Sequence, residues 1–211
     1  MVKRQIEARG IHDPGVLEAM RSVPRDLFIP HGQDLAWSDQ ALPIGWGQTI
    51  SQPYIVALMT SLLAPRPGDR ILEVGTGSGY QAAVLSQFGA EIDTVEIIPS
   101  LAREAAERLS RLGFNRVHVR GGDGSKFRSE GTRYDGIIVT CATNHIPENL
   151  SAQLKTGGRM VLPLGRTTAY QELTVATRRE NGKLDLETVT GVVFVPMTGP
   201  NGMARTPEAL A

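Results

Sequence analysis

The chain has 211 residues, of which 41% are hydrophobic and 21% charged, and its 22 basic residues balance 22 acidic ones. This size and composition are those of a globular chain with a substantial core. A neutral chain lacks the basic surplus that phosphate neutralisation requires, so we expect no nucleic-acid partner. The one cysteine, Cys141, excludes an internal disulfide framework and a multi-cysteine metal site. No segment approaches the ~20 apolar residues that span a bilayer, and we predict a soluble, cytoplasmic protein without membrane contact.

The first third of the chain is predicted to be helical and loop-like. Residues 2–9 can form a short amphipathic helix, and Asp13 followed by proline predicts an N-cap that opens a second helix over residues 14–21. Five glycine and proline residues within residues 28–47 predict that this segment is mostly loop. A further helix is expected to start at Ser51-Gln52-Pro53 and to run to about residue 63.

From residue 66 onward, short apolar runs alternate with helical patterns. The expected strands cover residues 70–74, 91–96, 117–119, 135–140 and 159–162, and the expected helices cover residues 79–88, 100–112 and 147–154. This rhythm predicts an α/β fold with a doubly wound, mainly parallel, Rossmann-like sheet.

The last part of the chain has a different pattern. Residues 173–177 and 188–195 flank a turn that contains Asn181-Gly182, which predicts a C-terminal antiparallel hairpin at the end of the sheet. Residues 200–211 have little apolar periodicity and are predicted to form a flexible tail.

A glycine-rich turn follows the first strand of the predicted sheet. Gly75, Gly77 and Gly79 alternate with Thr and Ser, so the backbone can turn tightly there and a ligand can approach the main chain. The dinucleotide fingerprint needs a glycine where this chain has Tyr80, which disfavours a nicotinamide dehydrogenase. The alternative is a plain strand-to-helix turn, and the loop alone only favours a nucleotide-like ligand.

Three acids follow or end strands of this sheet. Glu96 ends the next strand about 20 residues beyond the loop, where a carboxylate can accept both hydroxyls of an adenosine ribose. Asp123, within a glycine-rich turn, can accept from an adenine amino group, and Glu73 can attract an ammonium or sulfonium group. Each acid could instead be solvated or belong to a turn. The ordered set is more specific, since ligands of such sheets bind at the carboxyl ends of the strands.

These residues resemble the class I S-adenosylmethionine-dependent methyltransferases. Residues 43–53, Pro-Ile-Gly-Trp-Gly-Gln-Thr-Ile-Ser-Gln-Pro, narrow the resemblance to the protein-L-isoaspartate O-methyltransferases. Residues 5–11, 153–159 and 194–199 agree with the same family, so the resemblance extends over nearly the whole chain. One departure is Cys141-Ala142-Thr143-Asn144-His145, where relatives often carry an alanine-rich sequence.

The resemblance implies a set of functional residues. It implies that S-adenosyl-L-methionine, and its product S-adenosyl-L-homocysteine, are bound by Ile44, Gly45, Trp46, Gly47, Gln48, Glu73, Gly75, Gly77, Gly79, Glu96, Ile97, Asp123, Gly124 and Thr198. It implies that Ser51 is the active-site serine and that Ser51 and Val195 contact the substrate. It also implies one methyltransferase domain over residues 1–211, in which residues 1–65 cover substrate and cofactor and residues 66–199 form the core.

The reaction that the resemblance implies is methylation of the free α-carboxylate of an L-isoaspartyl residue in a damaged protein. The methyl ester then closes to a succinimide that can reopen to aspartate. A carboxylate is ionised at neutral pH, so no general base is needed. We therefore assign Ser51 to positioning rather than to nucleophilic attack, because His31 and His145 lie in no recognisable triad. The alternative for Ser51 is a helix N-cap.

Two other functions stay open at the level of sequence. One is a methyltransferase that acts on a nucleic acid or an amine, which the neutral charge and Thr140-Cys141-Ala142-Thr143 disfavour. The other is a non-catalytic module that binds S-adenosylmethionine. We expect isoaspartyl proteins and peptides as partners, no nucleic acid or membrane, and a monomeric chain.

Overall fold

The structure, a computed structural model, describes residues 1–165 and 169–198. The predicted tail, residues 200–211, lies outside these residues. No helix of the described part is both long and apolar enough to cross a bilayer. In the same residues, no three His, Cys, Asp or Glu side chains are grouped as metal ligands.

The N-terminal third contains more regular structure than the sequence predicted. One turn of π-helix (Val2–Ile6) and one of 3-10 helix (Glu7–Arg9) stand where one helix was expected. Helix α1 (Pro14–Ser22) confirms the prediction, since the Asp13 carboxylate caps it by accepting from the Val16 N–H at 2.9 Å.

A small hairpin begins near the end of residues 28–47, a segment that is otherwise mostly loop as predicted. Strand β1 (Leu42–Gly45) pairs with β2 (Gln48–Ile50) through a two-residue turn. Trp46 and Gly47 have φ values of +57° and +68°, which is the backbone of a type I′ hairpin turn. Tryptophan is an unusual residue at such a position, which is why the turn was not recognised from the sequence.

The predicted parallel sheet is confirmed. Helix α2 (Pro53–Leu63) precedes it, and helices α3 (Tyr80–Ser86), α4 (Pro99–Arg111) and α5 (Glu148–Ser151) follow its strands. Its strands are β3 (Arg70–Val74), β4 (Glu91–Glu96), β5 (Val117–Gly121), β6 (Tyr134–Val139), β7 (Leu154–Leu164), β8 (Gln171–Arg178) and β9 (Leu184–Val192). They lie in the order β5-β4-β3-β6-β7-β8-β9, with β3 to β7 parallel and β8 and β9 antiparallel to their neighbours.

The largest differences from the predicted strand boundaries are in β7 and β9. Strand β7 begins at Leu154 instead of residue 159, and α5 is correspondingly shorter than the predicted helix. Gly157 has a φ of +79° where the register between β6 and β7 shifts, so the glycines belong to a bulge within the strand. Strand β9 ends at Val192, not residue 195, because the Val195 carbonyl and the Met197 N–H instead pair with Ala142.

The N-terminal region is fixed to the sheet domain by a buried arginine. The Arg25 side chain donates from Nε to the Ala36 carbonyl at 2.9 Å, and its guanidinium lies 5.1 Å from the ring centroid of Tyr80 on α3. Burial lowers the pKa of Arg25 to about 10, so the side chain stays charged at neutral pH. This contact helps to hold the residues before β3 over the carboxyl edge of the sheet.

Candidate functional site

A cleft opens at the carboxyl edge of β3, β4 and β6, where the strand order reverses. Its wall includes residues from the end of β2, the glycine loop, the ends of three parallel strands and the segment after β9, among them Gln48, Ser51, Glu73, Gly75, Gly77, Glu96, Ile97, Gly124, Thr140, Val195 and Thr198. The switch point of a doubly wound sheet is where ligands of this architecture bind.

The glycine loop can take its path only because Gly75 has no side chain. Gly75 has a φ of +98°, and a Cβ there would overlap the Thr140 hydroxyl. That hydroxyl lies within hydrogen-bond distance of two carbonyls of the loop, at 2.5 Å from Gly75 and 3.1 Å from Val74. Thr140, directly after β6, therefore fixes the start of the loop against the sheet.

The Glu96 carboxylate is held by main-chain donors on both of its oxygens. Oε2 accepts from the Gly77 N–H at 2.8 Å, and Oε1 accepts from the Ile98 N–H at 3.0 Å. Burial raises its pKa, and these hydrogen bonds oppose the rise. Each oxygen keeps a further lone pair, so the geometry can accept two hydroxyl donors from a ligand.

The Glu73 carboxyl group is buried in the wall of the cleft and only half satisfied. The Thr94 hydroxyl donates to Oε2 at 2.5 Å, and the Thr94 and Thr76 hydroxyls are 2.6 Å apart. Among the described residues, Oε1 has no hydrogen-bond partner. Burial raises the pKa of Glu73 to about 8. A cationic donor from a ligand would satisfy Oε1 and favour the ionised form.

The turn after β5 provides a close approach to the sheet at Gly124. Its φ is ordinary, but a Cβ there would lie 2.5 Å from Cγ1 of Val74, so a larger residue would displace the strand. Asp123 caps the short 3-10 helix that follows, because its Oδ1 accepts from the Ser125 N–H at 2.9 Å. Its Oδ2 is buried, has no hydrogen-bond partner within residues 1–165 and 169–198, and lies 3.9 Å from the Lys126 ammonium.

The predicted site residues fall into two groups. Those on the wall of the cleft are Gln48, Ser51, Glu73, Gly75, Gly77, Glu96, Ile97, Gly124, Val195 and Thr198. The predicted residues that are not on this wall are Ile44, Gly45, Trp46, Gly47, Gly79 and Asp123. Gly79 is instead the N-cap of α3, and a Cβ there would lie 2.9 Å from Leu109 on α4. The lack of a side chain at Gly79 thus allows α4 to pack closely against the start of α3.

Sequence reasoning missed several polar residues of the cleft. Thr76, Ser78, Ser125 and Thr140 all lie on its wall. The alternation of glycine with Thr and Ser in the loop was a usable signal for the first two. Thr94 was not recognisable, because its role as a donor to Glu73 depends on the neighbouring strand.

A second groove adjoins the cleft and shares Ser51 with it. The shared wall consists of Thr49, Ser51, Thr140 and Val195, and the groove continues over Ala41, Gln52, Ile55, Tyr170, Gly191, Val192, Val193 and Phe194. The N-cap of α2 is Gln52 and carries no side-chain capping bond, so the alternative interpretation of Ser51 as the helix cap is wrong. Ser51 therefore lies where a ligand of the cleft and a ligand of the groove would meet.

Cys141 lies on the cleft wall next to the glycine loop. Burial raises the pKa of its thiol well above the usual range, with a smaller contribution from the Glu96 charge. The thiol is therefore neutral, and a neutral thiol is a poor nucleophile. Cys141 is a small residue of the wall in this arrangement.

A doubly wound sheet that ends in an antiparallel hairpin, with a glycine-loop cleft and a strand-end acid at its carboxyl edge, is typical of the class of S-adenosylmethionine-dependent methyltransferases. A family model described as protein-L-isoaspartate(D-aspartate) O-methyltransferase matches residues 1–202. The chain belongs to this family, whose reaction is the S-adenosylmethionine-dependent methylation of isoaspartyl residues.

Individual relatives agree with this membership. Protein-L-isoaspartate O-methyltransferase 1 of Rhodopseudomonas palustris strain HaA2 is 49% identical over 100% of this chain and 87% of its own length. A relative of the same name from Methanospirillum hungatei is 50% identical over 97% of this chain and 94% of its own length. A solved protein-L-isoaspartate O-methyltransferase has a TM-score of 0.85 at 27% identity, covering 95% of this chain and 67% of that one. A Plasmodium falciparum structure in complex with S-adenosyl-L-homocysteine has a TM-score of 0.80 at 24% identity, covering 93% and 96%, and supports the fold.

Proposed function

We propose that this chain transfers the methyl group of S-adenosyl-L-methionine to the free α-carboxylate of L-isoaspartyl residues in damaged proteins and peptides. The product ester closes to a succinimide, and hydrolysis of the succinimide returns part of the material to aspartate. The observation that carries the proposal is the junction at Ser51, where a cleft with the features of an adenosyl site meets an open groove that can take a polypeptide.

The residues of the cleft fit S-adenosyl-L-methionine. Glu73 has a buried oxygen that no described residue satisfies and that suits the ammonium group of the methionine part, and Glu96 can accept from the ribose hydroxyls. Gly75 and Gly77 lie on the cleft wall and carry no side chain that would cover their main chain, and Gly124, on the same wall, suits the adenine. When bound there, S-adenosyl-L-methionine supplies an electrophilic methyl group on a positively charged sulfur.

The protein residues have to align the substrate rather than activate it. The substrate carboxylate is already ionised at neutral pH, so the residues of the site need not remove a proton. The Ser51 hydroxyl has no hydrogen-bond partner among the described residues and is free to donate to the carboxylate. Val195 and the groove beyond it would hold the peptide, and exclusion of water would strengthen the attraction between opposite charges. Alignment of this kind can supply up to ~7–11 kcal/mol.

Matched peptides test this function directly. We expect labelled methyl transfer to a peptide with isoaspartate at one position and none to the same peptide with aspartate. A D-aspartyl version of the peptide shows whether this chain also methylates D-aspartyl residues, which the family description includes. Methylation of RNA, DNA or an amine in place of the peptide would favour another methyltransferase function. Calorimetric binding of S-adenosyl-L-homocysteine without any methyl transfer would favour a non-catalytic binding module.

Replacing Ser51 by alanine is expected to lower kcat/KM for the isoaspartyl peptide by about 10- to 100-fold. A hydrogen bond to a charged group is worth about 1.5–3 kcal/mol, and this one would be lost from the reacting carboxylate. The affinity for S-adenosyl-L-homocysteine should stay within about twofold of the wild type, since one hydroxyl at the junction contributes little to it. Ser22→Ala, at an exposed serine at the end of α1, is the matched control. An equal loss in cofactor affinity and peptide turnover would contradict a positioning role for Ser51.

Asp39 is a second residue that we expect to position Ser51. Its Oδ1 accepts from the Tyr54 N–H at 3.3 Å, its carbonyl accepts from the Gln52 side chain at 3.0 Å, and its Oδ2 pairs with Arg9 at 2.8 Å. These contacts hold the start of α2, directly after Ser51.

We expect Asp39→Ala to lower kcat/KM for the peptide by about tenfold and to leave the affinity for S-adenosyl-L-homocysteine unchanged. The variant leaves the Tyr54 N–H in the first turn of α2 without its acceptor, and the loss of a capping bond of this kind costs about 0.5–2 kcal/mol locally. Steady-state kinetics and calorimetry separate the two quantities. Glu91→Gln, which breaks the exposed pair with Arg116, is the control for loss of a surface ion pair. Unchanged peptide kinetics in Asp39→Ala would remove Asp39 from the site.

The proposal also includes the organisation and setting of the chain. We propose that residues 1–211 form one methyltransferase domain that acts as a monomer in the cytoplasm, with residues 1–65 covering the ligands. Limited proteolysis, light scattering and cell fractionation test these three statements. A stable dimer in light scattering would contradict the monomer.

A further inference from the structure

The turn between β8 and β9 contains an asparagine followed by glycine on the protein surface. Asn181 and Gly182 are both exposed, and Gly182 has a φ of +79°. The Asn181 Oδ1 accepts from the Lys183 N–H at 3.0 Å, and the Gly182 N–H donates to the Arg179 carbonyl at 2.9 Å. The turn residues face solvent, so little burial opposes local opening of the turn.

This pair of residues has the chemistry of spontaneous deamidation. When the turn opens, the Gly182 nitrogen can attack the Asn181 Cγ, which forms an N–Cγ bond, expels ammonia and leaves a five-membered cyclic imide. Glycine hinders this attack least, because it has no Cβ. Water then opens the imide at either carbonyl. One opening gives aspartate, and the other gives isoaspartate with a free α-carboxylate at position 181.

We propose that Asn181-Gly182 is a site of self-damage and that its isoaspartyl form is a substrate for a second copy of this chain. The proposal rests on the proposed function. Transfer of the methyl group to the α-carboxylate gives the ester, and attack by the Gly182 nitrogen on that ester expels methanol and restores the imide. Hydrolysis of the imide then returns part of the chain to aspartate at position 181.

The topology requires that two molecules take part. Strand β8 starts at Gln171, beside the groove, and runs antiparallel to β7 toward the opposite edge of the sheet, where Thr177 pairs with Arg159. Eight extended residues cover about 23 Å at ~3.3 Å per residue, so the turn lies on the order of a strand length away from the groove in its own molecule. The repair step is therefore intermolecular.

The test uses aged enzyme and a mapped methyl label. Purified full-length wild type is incubated at mildly alkaline pH to accumulate damage, and then receives fresh enzyme and labelled S-adenosyl-L-methionine. Trypsin releases residues 180–183 as one peptide, in which isoaspartate and its methyl ester are separated from aspartate by chromatography with mass detection. Asn181→Ser keeps a side-chain oxygen for the turn and cannot deamidate. Asn201→Ser removes the other Asn-Gly pair of the sequence and is the matched control.

We expect label in peptide 180–183 of the aged wild type and of Asn201→Ser, and its loss in Asn181→Ser. In aged enzyme without fresh protein, the initial rate should rise with the square of the protein concentration. Absence of isoaspartate at position 181 after ageing would overturn the proposal. This outcome is read from the wild-type protein alone, so it does not depend on whether a variant folds. The proposal would also be overturned if isoaspartate at position 181 stayed unlabelled while an isoaspartyl peptide in the same tube was methylated. A labelling rate per molecule that does not depend on protein concentration would overturn it as well. If the control peptide is also unlabelled, the proposed function fails and this inference fails with it.

Discussion

Replacing Gly75 by alanine is expected to abolish measurable binding of S-adenosyl-L-homocysteine, a loss of at least about 100-fold in affinity. An L-residue with a left-handed backbone costs about 1–2 kcal/mol, and the new Cβ would also overlap the Thr140 hydroxyl. The loop would have to move away from β6, and Gly75 and Gly77 would leave their present positions on the cleft wall. Isothermal titration calorimetry on the folded variant gives the affinity directly.

Gly113→Ala is the matched control for this change. Gly113 has a φ of +79°, but a Cβ there would meet nothing within 4 Å. Its replacement should therefore lower the free energy of unfolding by about 1–2 kcal/mol and leave ligand affinity unchanged. If Gly75→Ala binds the ligand as tightly as Gly113→Ala does, the glycine loop is not part of the binding site.

Glu73 is expected to make ligand affinity depend on pH. Its pKa is raised to about 8 without ligand, so it is largely protonated at neutral pH, and an ammonium group beside Oε1 would lower that pKa. Binding then releases a proton, and the affinity for S-adenosyl-L-homocysteine should rise with pH, by at most about tenfold per pH unit, until it levels off near pH 8. Calorimetry in buffers of different ionisation enthalpy counts the protons released.

Glu73→Gln should flatten this pH dependence and weaken binding by about tenfold or more, because a charge-assisted hydrogen bond becomes a neutral one. Glu91→Gln, at a partly exposed glutamate on the amino end of β4, should change neither the pH dependence nor the affinity. A pH profile of Glu73→Gln that matches the wild type would show that the ammonium group binds elsewhere.

The same group affects the stability of the ligand-free protein. Its pKa rises from 4.5 in the unfolded chain to about 8 in the fold, so the folded state binds more protons between these values. Stability should therefore fall as pH rises from about 4.5 to 8, and Glu73→Gln should remove this contribution. Thermal unfolding across that pH range measures the effect.

The order of strands and helices could be predicted because the sequence alternates between two periodicities. Buried parallel strands appear as short apolar runs, as in residues 70–74, and α4 shows a clear helical spacing. Glu96 and Gly75 could be assigned to one site for a topological reason, since the carboxyl ends of neighbouring parallel strands meet at the same edge. These assignments depend on local pattern and strand order alone.

The remaining differences come from tertiary contacts that no local pattern encodes. The hairpin over residues 42–50 depends on Trp46 in a left-handed conformation, and packing of its ring on the core favours that strained backbone. Strand β7 continues through Gly157 because β6 lies beside it to pair with. The even spacing of Gly75, Gly77 and Gly79 suggests that all three glycines face the ligand. Gly79 instead lies against Leu109, on a helix farther along the chain, and no local pattern indicates that contact.

In the complex that we propose, the glycine loop, Glu96 and the turn at Gly124 surround one adenosyl ligand whose sulfur points to Ser51. A crystal structure of the protein with S-adenosyl-L-homocysteine tests it most directly. We predict ribose hydroxyls on Glu96, the ammonium group on Oε1 of Glu73, and the sulfur at the junction that Ser51 and Thr140 share with the groove. A complex in which the sulfur points away from that junction, or in which the ligand lies outside the cleft, would contradict the account.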